Sequence, residues 1–380
     1  MLLFPQVSTN KGVSLMAVIV KCSVRTVFRP PSSRLKTTYG DPLPQKPHVI
    51  VSLEDSEGNV GYGEATPLPK FNGATQEMIS LALEREFLPL IKGREAGDIA
   101  SIIESMDAHL PEHGDAKCAI DLALHDLYAK ELGVPEFALL GGHFRNSVGV
   151  NRHIGIGTVA EAAALARKFV EDGFDSIKMK IGLDPDEDIR RVQAVREVIG
   201  TRALRLDANQ GYSLTQARYV LGAIENCQIL FCEQPLRKGD FAGLKELRRS
   251  VNVPLAADES LTGVESALRL AGGGCVDVFT IKLIKCGGLY RARQIAAIAE
   301  AAGIECVVTS TFDTQLGAAH CLHLATALRC VPHACDLTCY ASQGDQGTSA
   351  HVLRDGRLSA GQVPGCGVTG LVEMPMPARV

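Results

Sequence analysis

Lys180, Asp207, Glu233, Asp258 and Lys282 stand at or just beyond the ends of apolar runs, in SIKMKIG, LRLDANQG, ILFCEQP, PLAADES and VFTIKLIKCGG. The steps between them are 27, 26, 25 and 24 residues (207−180, 233−207, 258−233, 282−258). Three of the five are carboxylates, hard oxygen donors that suit Mg²⁺, or Mn²⁺ as a substitute, whereas zinc would favour His or Cys. A lysine flanks the trio on either side, and Lys178 shares a strand face with Lys180 because the side-chain period is two. A divalent ion beside a neutral lysine fits removal of the proton α to a carboxylate. The dianionic enolate so formed is stabilised, as its charge develops, by a metal and an ammonium. This chemistry makes Lys180 one base, Lys178 its cationic neighbour and carboxylate contact, and Lys282 the base on the opposite face. Nearby cations would lower the pKa of such a base. Lys285 follows the strand and is the weaker candidate.

A single Asp after a strand commonly caps the next helix. Capping does not account for five ionisable residues at one phase of a repeat, nor for lysines in apolar runs, where an unpaired ammonium is costly to bury. The nearest zinc-like set is His320, His323, His333 and Cys335. Its first two members, at i, i+3 in an apolar helix, read as packing.

A strand, a return helix and two short loops need roughly 25–30 residues, so the steps read as successive βα units of an α/β barrel, with the five residues at one mouth. The expected organisation is a leader over 1–15, disordered or an upstream start, an α+β domain over 16–145, a barrel over 146–355, and a segment over 356–380 that returns to the first domain. Strands are expected at Ala17–Phe28, His48–Leu53 and Val60–Glu64, then helices at Gln76–Leu88, Asp98–Leu110 and Ala116–Glu131. Two loops rich in Pro, Arg29–Pro47 and Ala65–Ala74, interrupt them. The barrel opens with a strand at Val148–Ile154 and a capping box, Thr158 with Glu161, and ends with strands at Glu305–Thr309 and His333–Leu337. That makes eight strands.

The 380 residues are 46% hydrophobic and 22% charged, with a formal net charge of −4. No basic stripe points to nucleic acid, and no apolar run approaches the roughly 18 residues of a membrane span. The 12 cysteines form no CxxC pair and lie mostly in apolar segments. Without a signal peptide they point to a cytoplasmic protein with reduced thiols.

Lys178-Met179-Lys180, Asp207-Ala208-Asn209, Glu233-Gln234-Pro235, Asp258-Glu259-Ser260, Lys282 to Gly288 (KLIKCGG) and Gly61 to Pro67 (GYGEATP) together resemble the enolase superfamily, in its muconate-lactonizing subgroup. The resemblance implies a modified TIM barrel, (β/α)7β, under an α+β capping domain whose two loops close over the substrate. It implies Mg²⁺ on Asp207, Glu233 and Asp258, a small carboxylate substrate between the lysines, and a homo-oligomer. Substrate contacts are expected from Tyr39, Phe71, Asn209, Thr311, Asp313 and Asp336. Members of the subgroup cyclise muconates, eliminate water, racemise N-acylamino acids, epimerise dipeptides or act on proline derivatives. Dipeptide epimerases carry Asp-x-Asp after the last strand to hold an ammonium; here Asp336 is followed by Thr338 in that place. The end of strand 7, Thr309 to Asp313, lacks the Glu expected of cycloisomerases and epimerases. The resemblance therefore implies a racemase or epimerase of a cyclic or N-substituted amino acid, for example a proline-type one. Alternatives are a dehydratase of the cis-3-hydroxyproline type, a muconate-type cycloisomerase, and a non-catalytic binding barrel.

Overall fold

Alternating β-branched residues near the N-terminus build a three-stranded antiparallel sheet from Ile19–Arg29, Lys46–Asp55 and Val60–Ala65. The computed structural model describes residues 17–29, 35–41, 45–341 and 348–369. The expected leader and parts of the Arg29–Pro47 loop lie outside them. Val49, Val51 and Leu53 share one face of the middle strand and are wholly buried, the period-two pattern of a half-covered sheet. The cover is the helix Gly114–Glu131, and its approach explains two glycines of GYGEATP. A Cβ on Gly63 would stand 2.0 Å from the carbonyl oxygen of Ala119, and one on Gly61 would stand 2.2 Å from that of Ala123. Only glycine lets helix and strand backbones come this close. The helix expected over Gln76–Leu88 is one rod with a π-helical turn at Ala82–Phe87 between α-helical Gln76–Leu81 and Leu88–Ile91.

From residue 152 the pattern becomes strand–helix alternation. Seven strands, Arg152–Ile154, Ser176–Lys180, Ala203–Asp207, Ile229–Glu233, Leu255–Ala257, Val278–Ile281 and Glu305–Val308, pair in parallel in chain order. The eighth element is shorter than expected. Only two isolated parallel bridges, Thr309↔Asp336 and Val150↔Cys335, lay residues 335–336 between the seventh strand and the segment before the first. They close the curled sheet. The first strand is also broken, because Val148–Gly149 turns outward to pair with Arg357–Ser359. Helix starts follow the caps: Thr158 and Ser213 form capping boxes, and Asp184, Asp240 and Thr314 accept from backbone N–H groups of the first turn, satisfying donors a helix end otherwise leaves bare.

Apolar residues form one large core around the barrel and another in the capping domain. Ile284, next to Lys282, lies in the capping-domain core, and Asp121 of the capping helix accepts from the N–H of Leu289 at 2.5 Å. The loop carrying Lys282 and Lys285 is thus held from above. Residues 365–366 bond to Val134 and Asp126 of the capping domain at 3.0 and 2.7 Å. Among the described residues no helix is long and apolar enough to cross a membrane, and all 12 cysteines are free.

Candidate active site

Along Ser176–Lys180, Ile177 and Met179 enter the apolar core, so Ser176, Lys178 and Lys180 project to the other side. Parallel register then sets Lys178 beside Arg205 and Lys180 beside Asp207, and on the next strand sets Asp207 beside Glu233. Asp258 follows Leu255–Ala257 in a turn shaped by Gln234, whose Oε1 accepts from the N–H of Asp258 at 3.1 Å and of Ser260 at 2.9 Å. One oxygen from each of Asp207, Glu233 and Asp258 lies within 4.8 Å of the others, and all three residues are buried. Asn209, Gln210, Gln234 and Phe312, all in loops at this mouth, have φ of 41°, 67°, 41° and 64°. Such left-handed conformations are costly for side-chain-bearing residues and gather where a fold fixes side-chain direction.

The lysines divide the trio between them. Lys180 Nζ is 2.5 Å from Asp207 and 2.8 Å from Asn209 Oδ1. Lys282 Nζ is 2.5 Å from Asp258 Oδ2, while Lys285 Nζ is 2.6 Å from its Oδ1. Lys178 lies beneath, with both Glu233 oxygens at 2.7 and 2.8 Å, Asp207 at 3.1 Å and Asp336 at 3.0 Å. Burial raises the Glu233 carboxyl, and Asp207 adds to it; with Asp258 and Asp336 also pushing upward, Lys178 restrains the rise only to about 8. For Asp207 burial is outweighed by Lys178, Lys180 and Lys282, which hold it far below the usual carboxylate range. A buried cluster this acidic, with oxygen donors this close, fits a divalent cation.

Without a metal ion on the trio, the carboxylates dominate the surroundings of Lys282. Burial lowers its ammonium, but Asp258, Glu233 and Glu259 outweigh that and raise it. Lys178 is likewise held well above its ordinary value, by Asp207, Asp336 and Glu233 against burial. Lys285 is lowered, chiefly by burial. A cation on the same carboxylate oxygens would compete with these ammonium groups for lone pairs and so work in the direction expected of a base.

Three of the expected substrate contacts are placed differently from the mouth residues. Asp336 is wholly buried and accepts from Asn151 at 2.9 Å, Lys178 at 3.0 Å, and Arg205 and Thr309 at 3.2 Å. Asn151, Lys178, Arg205 and Thr309 thus all donate to this carboxylate, and His153 Nε2 stands 3.3 Å from it. Asp313 turns towards the capping domain, accepting from Thr66 at 2.6 Å and from the N–H of Thr311 at 2.8 Å. Thr311 is buried with its hydroxyl unpartnered. Tyr39 and Phe71, by contrast, lie at the mouth and meet edge-on at 6.2 Å. Beside Phe71 a groove of about 800 Å³, lined by Glu259, Lys285, His113, Asp115 and Arg291 among others, opens between the capping domain and the barrel.

Arg205 was not singled out in the sequence, yet its guanidinium is completely buried, stacks on Phe231 at 4.7 Å and bonds Asp336. The signal was available, since position 205 shares a face with Asp207. Glu259 adjoins Asp258 in sequence but has its own partners. It accepts from the Tyr39 hydroxyl at 2.6 Å and from Asn209 Nδ2 at 3.1 Å.

The mandelate racemase/muconate lactonizing enzyme N-terminal domain profile matches residues 20–141, and the enolase C-terminal domain-like profile matches residues 161–372. The chain belongs to the enolase superfamily. Within the superfamily it falls in the muconate-lactonizing-like subgroup, and it is an isomerase of the racemase/epimerase or cycloisomerase kind. The hydrophobic dipeptide epimerase of Enterococcus faecalis is 38% identical over 288 residues, covering 75% of this chain and 81% of the relative. Its structure with Mg and L-Leu-L-Tyr superposes with a TM-score of 0.88 at 34% identity, over 93% of this chain and 100% of that one. The L-Ala-D/L-Glu epimerase of Bacillus subtilis is 33% identical over 305 residues, 79% of this chain and 82% of its own length. Its substrate-liganded structure gives a TM-score of 0.89 at 29% identity over 93% and 99% of the two chains. Muconate cycloisomerase 1 of Rhodococcus opacus is 36% identical over 295 residues, 74% of this chain and 77% of the relative. These superfamily relatives are named for dipeptides and muconates, not for the proline-type acid expected from the sequence.

Proposed function

We propose that the protein epimerises the α-carbon of an amino-acid unit whose nitrogen is held in an amide, using Mg²⁺ (or Mn²⁺) and two lysine bases. The observation that carries this reading is the division of the trio: Lys180 stands at Asp207 and Lys282 at Asp258, one lysine at either end of the acidic cluster. In the proposed arrangement Asp207, Glu233 and Asp258 hold the metal, and the substrate carboxylate lies between the lysines. Bound there, Mg²⁺ supplies a Lewis acid that stabilises charge on the carboxylate. Lys180 removes the α-proton from one face and Lys282 returns a proton to the other, or the reverse. Lys178 contributes fixed positive charge beneath the developing anion.

The amide nitrogen follows from Asp336 and Thr338. With Asp336 enclosed by Lys178, Arg205, Asn151 and Thr309, the last-strand loop offers no free carboxylate at that position to a substrate ammonium. An uncharged N-acyl group avoids that need, whereas the ammonium of a free dipeptide would find the Asp336 carboxylate already taken. The test is a screen in D₂O of N-acyl amino acids, free dipeptides and their N-acetylated forms, with and without Mg²⁺. Metal-dependent deuterium uptake at the α-carbon, stronger for N-acyl compounds, is expected; a turned-over substrate that keeps its α-proton contradicts the proposal. A cycloisomerase reading has the support of the Rhodococcus relative. In that case one lysine serves as base, and cis,cis-muconate loses its ultraviolet absorbance when added to the protein.

A further inference from the structure

The capping domain touches the two ends of the acidic cluster with two different aromatic side chains. From segment 35–41, Tyr39 donates its hydroxyl to Glu259 Oε1 at 2.6 Å and accepts from Gln210 Nε2 at 2.8 Å. The same Glu259 oxygen accepts from Asn209 Nδ2 at 3.1 Å, and Asn209 Oδ1 accepts from Lys180 Nζ at 2.8 Å. Because Glu259 takes the Asn209 amide N–H, the amide presents its oxygen, not its nitrogen, to Lys180. The backbone cooperates: Asn209 sits at φ 41° and its carbonyl accepts from the Thr38 hydroxyl at 3.1 Å. A hydrogen-bonded chain therefore runs from Tyr39 through Glu259 and Asn209 to Lys180.

Phe71 reaches the opposite end. The Lys282 ammonium lies 4.5 Å from the centroid of its ring, with Lys285 farther away at 6.0 Å. A cation at this distance from an aromatic ring is attracted by the negative potential of the π cloud, and the attraction grows as water is excluded.

We infer that Tyr39 and Phe71 are positioning residues, each serving one lysine: Tyr39 orients Lys180 through Glu259 and Asn209, and Phe71 holds Lys282 under its ring. The inference rests on the two-base reading above. Proton transfer from either face requires the lysine nitrogen to stay aligned with the α-carbon, and small misplacements are costly in rate. Interconversion rates in the two directions are tied by the equilibrium constant, so they cannot report on one lysine alone. Exchange of the α-proton with retention can, because it needs only the lysine facing that epimer.

Two variants separate the branches. Tyr39→Phe keeps the ring against Phe71 and removes only the hydroxyl; Phe71→Leu keeps an apolar side chain and removes the π face. Both epimers of an N-succinyl amino acid serve as probes in D₂O with Mg²⁺, and Lys180→Ala and Lys282→Ala assign each epimer to its lysine. Tyr39→Phe is expected to slow retentive exchange of the Lys180 epimer by about tenfold and of the other by less than about threefold. Phe71→Leu is expected to show the reverse preference, and Phe71→Tyr, which keeps the ring, to recover most of the exchange that Phe71→Leu loses. Equal losses for both epimers, or no loss, overturn the inference.

A second readout needs no turnover. Reductive methylation followed by peptide mass spectrometry is expected to show faster labelling of Lys180, not Lys282, in Tyr39→Phe, and the converse in Phe71→Leu. Labelling that changes equally at both lysines overturns the inference by itself. If neither N-acyl amino acids nor dipeptides exchange in the parent protein, the epimerase reading fails, while the labelling still decides the positioning roles.

Discussion

Asp258 is contested by two ammonium groups, Lys282 at 2.5 Å and Lys285 at 2.6 Å, so its charge is the sharpest single-residue test of the metal site. Asp258→Asn keeps the shape and removes the charge. It is expected to raise the Mg²⁺ concentration for half-maximal activity by on the order of tenfold or more, since loss even of groups that only support ligands costs about 10–100-fold. A Mg²⁺ titration that leaves the midpoint unchanged removes Asp258 from the proposed ligands. Asp336 gives a stability test instead. Asn in its place leaves the buried Arg205 guanidinium with Glu233 at 3.7 Å as its remaining carboxylate partner, and breaking a buried pair costs about 3–5 kcal/mol. Urea unfolding of Asp336→Asn is expected to fall by that order, and a midpoint within error of the parent contradicts the assigned role. Chemistry-bearing residue types were legible in the sequence because strand ends impose a fixed phase on Lys180, Asp207, Glu233, Asp258 and Lys282. The surroundings of Asp336 were not. Its partners Asn151, Arg205 and Thr309 come from three other strand regions, and only closure of the barrel brings them together.

Among the elements, the junction between strand Val60–Ala65 and helix Gln315–Ala327 couples the capping domain to the barrel through buried acids. Glu64 accepts from the N–H groups of Thr314 and Gly317 at 3.0 and 2.8 Å and pairs with His48 at 2.7 Å. Despite burial, His48 and then Thr314 lower its carboxyl to about 2, while burial and Glu64 raise that of Asp313 to about 6. For Asp313 the folded state holds its proton above the ordinary carboxyl range, so the unfolded chain releases a proton first as pH rises. Its contribution therefore falls from about pH 4 to pH 6. Glu64 has the opposite sign, and its contribution is lost only as pH drops towards 2. Asp313→Asn is expected to flatten the decline in melting temperature between pH 4 and pH 6 relative to the parent. Parallel curves for the two proteins would show that Asp313 does not titrate there. Helix starts such as Thr158, Asp184 and Ser213 were legible because a cap is local chemistry. The broken first strand was not: Val148–Gly149 pairs with Arg357–Ser359, some two hundred residues away, and no local pattern announces that partner.

In the whole molecule, the two domains share the candidate site. The capping-domain core includes Ile284 from the lysine-bearing loop, and Asp121 caps the helix that begins at Leu289. Tyr39 and Phe71 reach down to Glu259 and Lys282 from the same side. The proposed base at either end of the acidic trio is thus braced by both domains, which ties catalysis to their docking. Barrel and capping unit were legible from step length and from the change of period near residue 148. Closure by two bridges in place of a full eighth strand was not, because the composition of His333–Leu337 does not show that only Cys335 and Asp336 form bridges to the neighbouring strands. The most direct test of the central claim is α-proton exchange by Lys180→Ala and Lys282→Ala with each epimer of a turned-over substrate. Opposed bases predict that neither variant interconverts the epimers, and that each still exchanges the α-proton of a different one; equal residual exchange of both epimers in both variants would contradict the account.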